Sequence, residues 1–174
     1  MSGVGPSPGK LDAPGRWPDV IASAPDWRFC RFSELSPVEL ARIYRARQAV
    51  FGLEQQCVYL DADECDEISY HLAAWSHLHA LPLAYARLVN PGGKYAEPSL
   101  GRVITTAPAR GSGLGRELVR RSLEHSAIVH PGWALRISAQ ERLVPFYAEF
   151  GFAAVGGSYI EDGIPHVEML RPAD

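Results

Sequence analysis

Residues 110–115 read Arg-Gly-Ser-Gly-Leu-Gly, and they join a β-branched run, Val103-Ile104-Thr105-Thr106, to a stretch with helical spacing. In that stretch Leu114, Leu118, Leu123 and Ile128 fall near one face, with Arg116, Arg120 and Arg121 mostly on others. Glycines at the junction let the chain pass close to a ligand, and the first-turn N–H groups of the following helix have no partner inside it. Those donors and the helix dipole together attract phosphate oxygens. A strand, a glycine turn that holds a phosphorylated cofactor and a helix therefore set the layout. Two common users of such a turn are excluded by spacing. Gly115 is followed by Arg116-Glu117, where a Walker loop needs Lys and then Ser or Thr. Gly111, Gly113 and Gly115 alternate evenly, whereas a dinucleotide fingerprint puts two residues between its second and third glycines.

The chain has 174 residues, enough for one domain with a sizeable core. A net charge of −3 disfavours a general nucleic-acid binder. No apolar stretch approaches a membrane span, and the first residues lack the apolar core of a signal peptide. Three cysteines without framework spacing fit a reducing compartment, so the expected location is the cytoplasm. Residues 1–25 hold five prolines and four glycines, a composition that buries too little surface to offset ordering. They are expected to form a flexible arm ahead of a single domain at 26–174. The sequence leaves a homodimer open.

Strands are expected at 27–32, 70–75, 83–89, 100–106 and 133–139, with two short ones at the end. Ser36-Pro37-Val38-Glu39 offers a capping box with proline at the first helical position, opening a helix to about Phe51. Leu40, Ile43, Tyr44 and Val50 are its candidates for burial. Further helices are expected at 113–129 and 143–150. Strands and helices alternate, which gives an α/β or α+β fold with a mixed sheet.

Arg110, Gly113 and Gly115 form an Arg-x-x-Gly-x-Gly pattern that resembles the acyl-CoA signature of the GNAT superfamily of N-acyltransferases. Gln140, followed seven residues later by Tyr147 and then by Gly151-Phe152, resembles the Asn, Phe/Leu-Tyr and Gly-Phe positions of the same family, with Gln140 in place of the usual Asn. Phe51-Gly52-Leu53-Glu54-Gln55-Gln56-Cys57-Val58-Tyr59, with Asp63, Asp66 and His71, resembles the ElaA-like branch. So do Gly101-Arg102-Val103, Ser138-Ala139-Gln140 and Glu161-Asp162-Gly163-Ile164-Pro165-His166. The likeness runs over about 30–171. It implies a mostly antiparallel mixed sheet, with the fourth and fifth strands parallel but splayed around acetyl-CoA and helices on its flanks. Loop residues Arg110, Gly111, Ser112, Gly113, Leu114, Gly115 and Arg116 would then hold the pyrophosphate. The main chain of Val103, Ile104 and Thr105, together with Gln140, would meet the pantetheine arm. The implied activity is acetyl transfer to a primary amine of a small molecule or peptide; the alternative is an acyl-CoA-binding regulatory module without turnover.

Acyl transfer needs a neutral amine, a polarised carbonyl and a protonated leaving group. A lysine-like amine has a pKa of about 10.4, so deprotonation at pH 7 costs about 4.6 kcal/mol. The resemblance implies that Tyr147 donates to the leaving sulfur, and a strand amide near Val103–Thr105 could polarise the carbonyl. Some relatives carry a glutamate five residues before the Asn, but that position is Leu135 here. Glu54 and His71 are the side-chain candidates for the base, beside relay through water; His166 is a packing or substrate-rim residue. Six acids and no base between Glu54 and Glu67 read as an exposed acidic segment, which the resemblance puts near the substrate entrance, and a cationic acceptor is expected. No metal is expected. Cys57, Cys65, His71, His77 and His79 match no zinc spacing, and Asp61-x-Asp63 lacks the later glycine and glutamate of a calcium loop.

Overall fold

The structure, a computed structural model, describes residues 24–173. The arm expected at 1–25 lies almost wholly outside the described residues. Helix α1 (Pro37–Arg47) opens as its sequence dictates: Ser36 Oγ accepts from the Glu39 amide, and Glu39 returns a bond to the Ser36 amide. Beyond Arg47 the chain does not stop at Phe51 but winds on more widely to Glu54, with the Gln55 amide reaching Val50 O at 3.0 Å.

Seven strands form one sheet: β1 (Asp26–Arg31), β2 (Ser69–Trp75), β3 (Ala84–Val89), β4 (Ser99–Thr105), β5 (Leu135–Gln140), β6 (Ala153–Glu161) and β7 (Ile164–Arg171). Their order is β1-β2-β3-β4-β5-β7-β6. All neighbours run antiparallel except β4 and β5, which are parallel and share only the pair Ser99↔Arg136. The register between β3 and β4 shifts opposite Tyr85–Arg87, where Arg102 adopts φ 52°. That bulge bends β4 away from β5 and opens the sheet between them. The last two strands, expected to be short, are nine and eight residues long. Among the described residues no helix is long and apolar enough to cross a membrane.

Each face of the sheet carries its own core. Helix α1 and the wider turns after it pack Ile43, Ala46 and Val50 on Ala73, Tyr85 and Ile104. Helices α2 (Leu114–Val129) and α3 (Val144–Ala148) cover the other face, over Leu72, Ala84, Leu88, Ile137, Ala139, Val167 and Met169. In α2 the buried stripe is Leu118, Val119, Ser122 and Ser126. Ile128, expected on that face, is 73% exposed.

Candidate active site

The gap between β4 and β5 opens into a cleft of about 1010 Å³, solvent at its mouth included. Its polar wall follows from strand periodicity. Ile137, Ala139, Val167 and Met169 point into the α2 core, so Ser138, Gln140, His166 and Glu168 must point the other way. The β6 partner of His166 is Tyr159, which puts Tyr159 and Glu161 on the same face. Gln140 and His166 are direct cross-strand neighbours.

The glycine loop sits where the sequence puts it, with Gly111 at φ 77° and Gly113 at φ 86°, the latter serving as N-cap of α2. The Leu114 amide donates only a long contact to Ser112 Oγ, at 3.3 Å. Arg110 turns back from the loop, pairing with Glu54 and donating to Thr105 O at 3.2 and 3.1 Å. Arg116 pairs with Glu149. The Gln140 amide is held between Gln55 Oε1 and Arg142 Nε, each at 3.0 Å.

Tyr147 comes from α3, on the opposite face, yet lines the same cleft with Val103, Gln140 and His166. It can do so because β4 and β5 have parted. Its ring packs edge-on against Phe146 and Phe152, and it is 6% exposed. Burial raises its pKa well above the ordinary phenol value, so it is a neutral donor.

The two residues expected to take the amine's proton sit elsewhere. His71 is buried, with Nδ1 2.8 Å from the Tyr85 hydroxyl and Nε2 3.0 Å from Asp66 O, and it does not line the cleft. Desolvation lowers its pKa, which keeps the imidazole neutral as a structural crosslink. Glu54 is tied to Arg110 on the loop side and does not line the cleft either.

The acidic segment also differs from its expected role as a free negative field. Asp66 receives Arg47 and Arg87, each at 2.7 Å; Asp61 receives Arg47 at 2.7 Å and Arg102 at 2.8 Å. Asp63 takes Arg87 at 2.5 Å and Arg102 at 3.1 Å. Arginines from α1, β3 and β4 thus neutralise three of the six acids, so this segment offers a cationic acceptor little free negative field. The cluster instead pins the chain before β2 to the bulge at Arg102. Cleft residues that strand and helix patterns did not single out are Arg87, Lys94, Tyr95, Ser138 and Glu161. The last two belong to the ElaA-like runs 138–140 and 161–166.

A parallel, splayed strand pair, a glycine loop capping the next helix and a buried tyrosine at the gap define an acyltransferase of the GNAT kind. Residues 66–171 match the family described as Acetyltransferase (GNAT) domain, and the chain belongs to that family. Within it the chain is ElaA-like. It is 34% identical to protein ElaA of Escherichia coli over 148 residues, covering 84% of this chain and 95% of that protein. The crystal structure of ElaA superposes with a TM-score of 0.79 over 84% of this chain and 99% of that one. A UPF0039 protein of Synechocystis is 43% identical over 145 residues, which is 83% of this chain and 94% of the relative. An acyl-CoA N-acyltransferase from Pseudomonas aeruginosa, 35% identical, superposes with a TM-score of 0.81 over 85% of this chain and 99% of its own.

Proposed function

We propose that this chain is an acetyl-CoA-dependent N-acetyltransferase that passes the acetyl group to a primary amine by direct attack in a ternary complex. The observation that carries the reading is Tyr147, a side chain that lines the gap where a thioester held along β4 would release its sulfur. Beyond Ser99 no pairing with β5 occupies the facing edge of β4, so Val103, Ile104 and Thr105 can bond the pantetheine arm as a further strand would. The amides after Gly111 and Gly113 take the pyrophosphate, and Arg110 joins them once it leaves Glu54. Cys57 also lines the cleft, but burial and Asp162 raise its pKa, so it remains a thiol. That favours direct attack over an acyl-enzyme. The Pseudomonas relative is an acyl-CoA N-acyltransferase by description, which supports acyl transfer to nitrogen. We place the enzyme in the cytoplasm, where its three free cysteines stay reduced.

Thiol release from acetyl-CoA over a panel of amines tests the reading. Release that depends on both the amine and the protein supports it. Binding of CoA with no release from any amine supports the regulatory module instead.

Gly113→Val tests the cofactor loop. Among the described residues, chain neighbours aside, an added Cβ at Gly113 meets no atom within 4 Å, so the main cost to the fold is that of the left-handed backbone, about 1–2 kcal/mol. The side chain would, however, project where the pyrophosphate must approach. Calorimetry should find a folded variant with no measurable CoA binding; unchanged affinity would remove the loop from the cofactor site.

A further inference from the structure

We propose that the cleft face of β6 and β7 is the acceptor-amine site, where the Glu161 carboxylate holds a primary alkylammonium and Nε2 of His166 removes its proton. The proposal rests on the N-acetyltransferase reading above and gives it a base and a substrate class.

The tautomer of His166 is set by its backbone. Nδ1 lies 2.8 Å from Ile164 O, and a carbonyl can only accept, so Nδ1 carries the hydrogen. The neutral ring then presents its lone pair on Nε2. This ring lines the cleft, opposite Gln140 in register and in the same cavity as Tyr147. A proton acceptor at that point faces the place where the amine must meet the thioester. Neither Glu54 nor His71 meets that condition.

Glu161 does a different task. Its Oε2 accepts from Ser138 Oγ at 2.8 Å, and Ser138 Oγ is itself 2.5 Å from the Tyr159 hydroxyl. Burial alone would raise its pKa, but the Ser138 bond and the charge of Lys94 act against it, and the carboxyl lies below its usual range. A carboxylate so firmly ionised is a poor base and a good anchor for a cation. Oε1 faces the Lys94 ammonium at 3.5 Å, too long for a good hydrogen bond, and keeps room for a closer donor. The other cleft cations, Arg87 and Arg102, are each paired with aspartates, so their repulsion of an incoming ammonium is muted.

The protons balance in this arrangement. The ammonium gives one proton to Nε2, forming an imidazolium beside the Glu161 carboxylate. The freed amine attacks the thioester carbon, the C–N bond forms and the C–S bond breaks. The departing thiolate takes the Tyr147 proton, and the second proton shed by nitrogen restores the phenol. The imidazolium returns its proton to solvent, so one ammonium and acetyl-CoA give the amide, CoA thiol and one proton.

The test compares n-butylamine, a cation at pH 7, with hydroxylamine, which is neutral there, both with acetyl-CoA and the full chain. His166→Ala should cut kcat with butylamine by about 10²-fold, the low end of general base catalysis, and only a few-fold with hydroxylamine, which has no proton to lose before attack. Added imidazole should restore part of the butylamine rate. Glu161→Gln should raise KM for butylamine about tenfold and leave KM for hydroxylamine unchanged. CoA affinity and thermal unfolding should hold in both variants, which separates these effects from misfolding. Equal losses on both acceptors, or a wild-type rate in His166→Ala, would overturn the site while leaving the enzyme reading intact. A wild-type protein that binds CoA yet turns over neither acceptor would overturn the N-acetyltransferase reading and this site with it.

Discussion

Asp66→Asn is expected to destabilise the domain by about 3–5 kcal/mol, the usual cost of removing one partner from a buried ion pair. The carboxylate is 1% exposed and accepts from both Arg47, itself 0% exposed, and Arg87. An asparagine of the same shape would turn a neutral amide toward two buried guanidinium groups, leaving Arg47 only Asp61 and Arg87 only Asp63 as charged partners. Against a typical total of about 5–15 kcal/mol this is a large share. For a domain of this size the midpoint should fall by roughly 10 °C. In urea, Cm should drop with the slope unchanged. The same contacts give a pH dependence. Burial pushes the Asp66 carboxyl up, but the bonds and charges of Arg47 and Arg87 outweigh it and its pKa is lowered. An unfolded aspartate titrates near about 3.9, so the full contribution is present above that pH. It is lost as pH falls through the depressed native value. Asp66→Asn should therefore flatten the acid limb of the stability profile. A loss under about 1 kcal/mol, or an unchanged acid limb, would mean that the network is not what holds the segment before β2.

That network marks where sequence reading runs out. The start of α1 was legible because its cap lies within four consecutive residues, Ser36 to Glu39. The glycine turn was legible because left-handed backbone at Gly111 and Gly113 needs glycine locally. The acids at 61–66 looked unpartnered because their arginines come from residues 47, 87 and 102, brought in only by packing of α1, β3 and β4. His71 shows the same limit: a histidine that is one candidate for the base by sequence is a crosslink once Tyr85 and Asp66 O close on its two nitrogens. Arg102 at φ 52° is invisible to propensity, since nothing in its side chain asks for a bulge. The cleft wall was half legible. Period two in β5 and β7 sorts Ser138, Gln140 and His166 onto one face, but only the pairing with β6 shows that Glu161 joins them.

Tyr147→Phe is expected to lower kcat by about 10²-fold or more, within the range of general acid catalysis. The substitution keeps the ring and its edge contacts with Phe146 and Phe152, so stability should change little. What it removes is a hydroxyl with a defined energetic position. A free thiol has a pKa near about 8.5 and a free phenol near about 10, so proton transfer from tyrosine to thiolate is uphill even in water. Burial raises the Tyr147 phenol further and steepens that climb. The phenol therefore cannot give its proton away early and remain ionised. It acts by donating a hydrogen bond as negative charge builds on sulfur, and the proton crosses only as the one shed by nitrogen replaces it. A hydrogen bond to a charged group contributes about 1.5–3 kcal/mol, and 2.7 kcal/mol is about 10²-fold in rate. Because that charge exists only near the transition state, kcat and kcat/KM should fall together while acetyl-CoA affinity stays at the wild-type level. A variant with wild-type kcat would take Tyr147 out of the chemical step and leave water as the donor to sulfur.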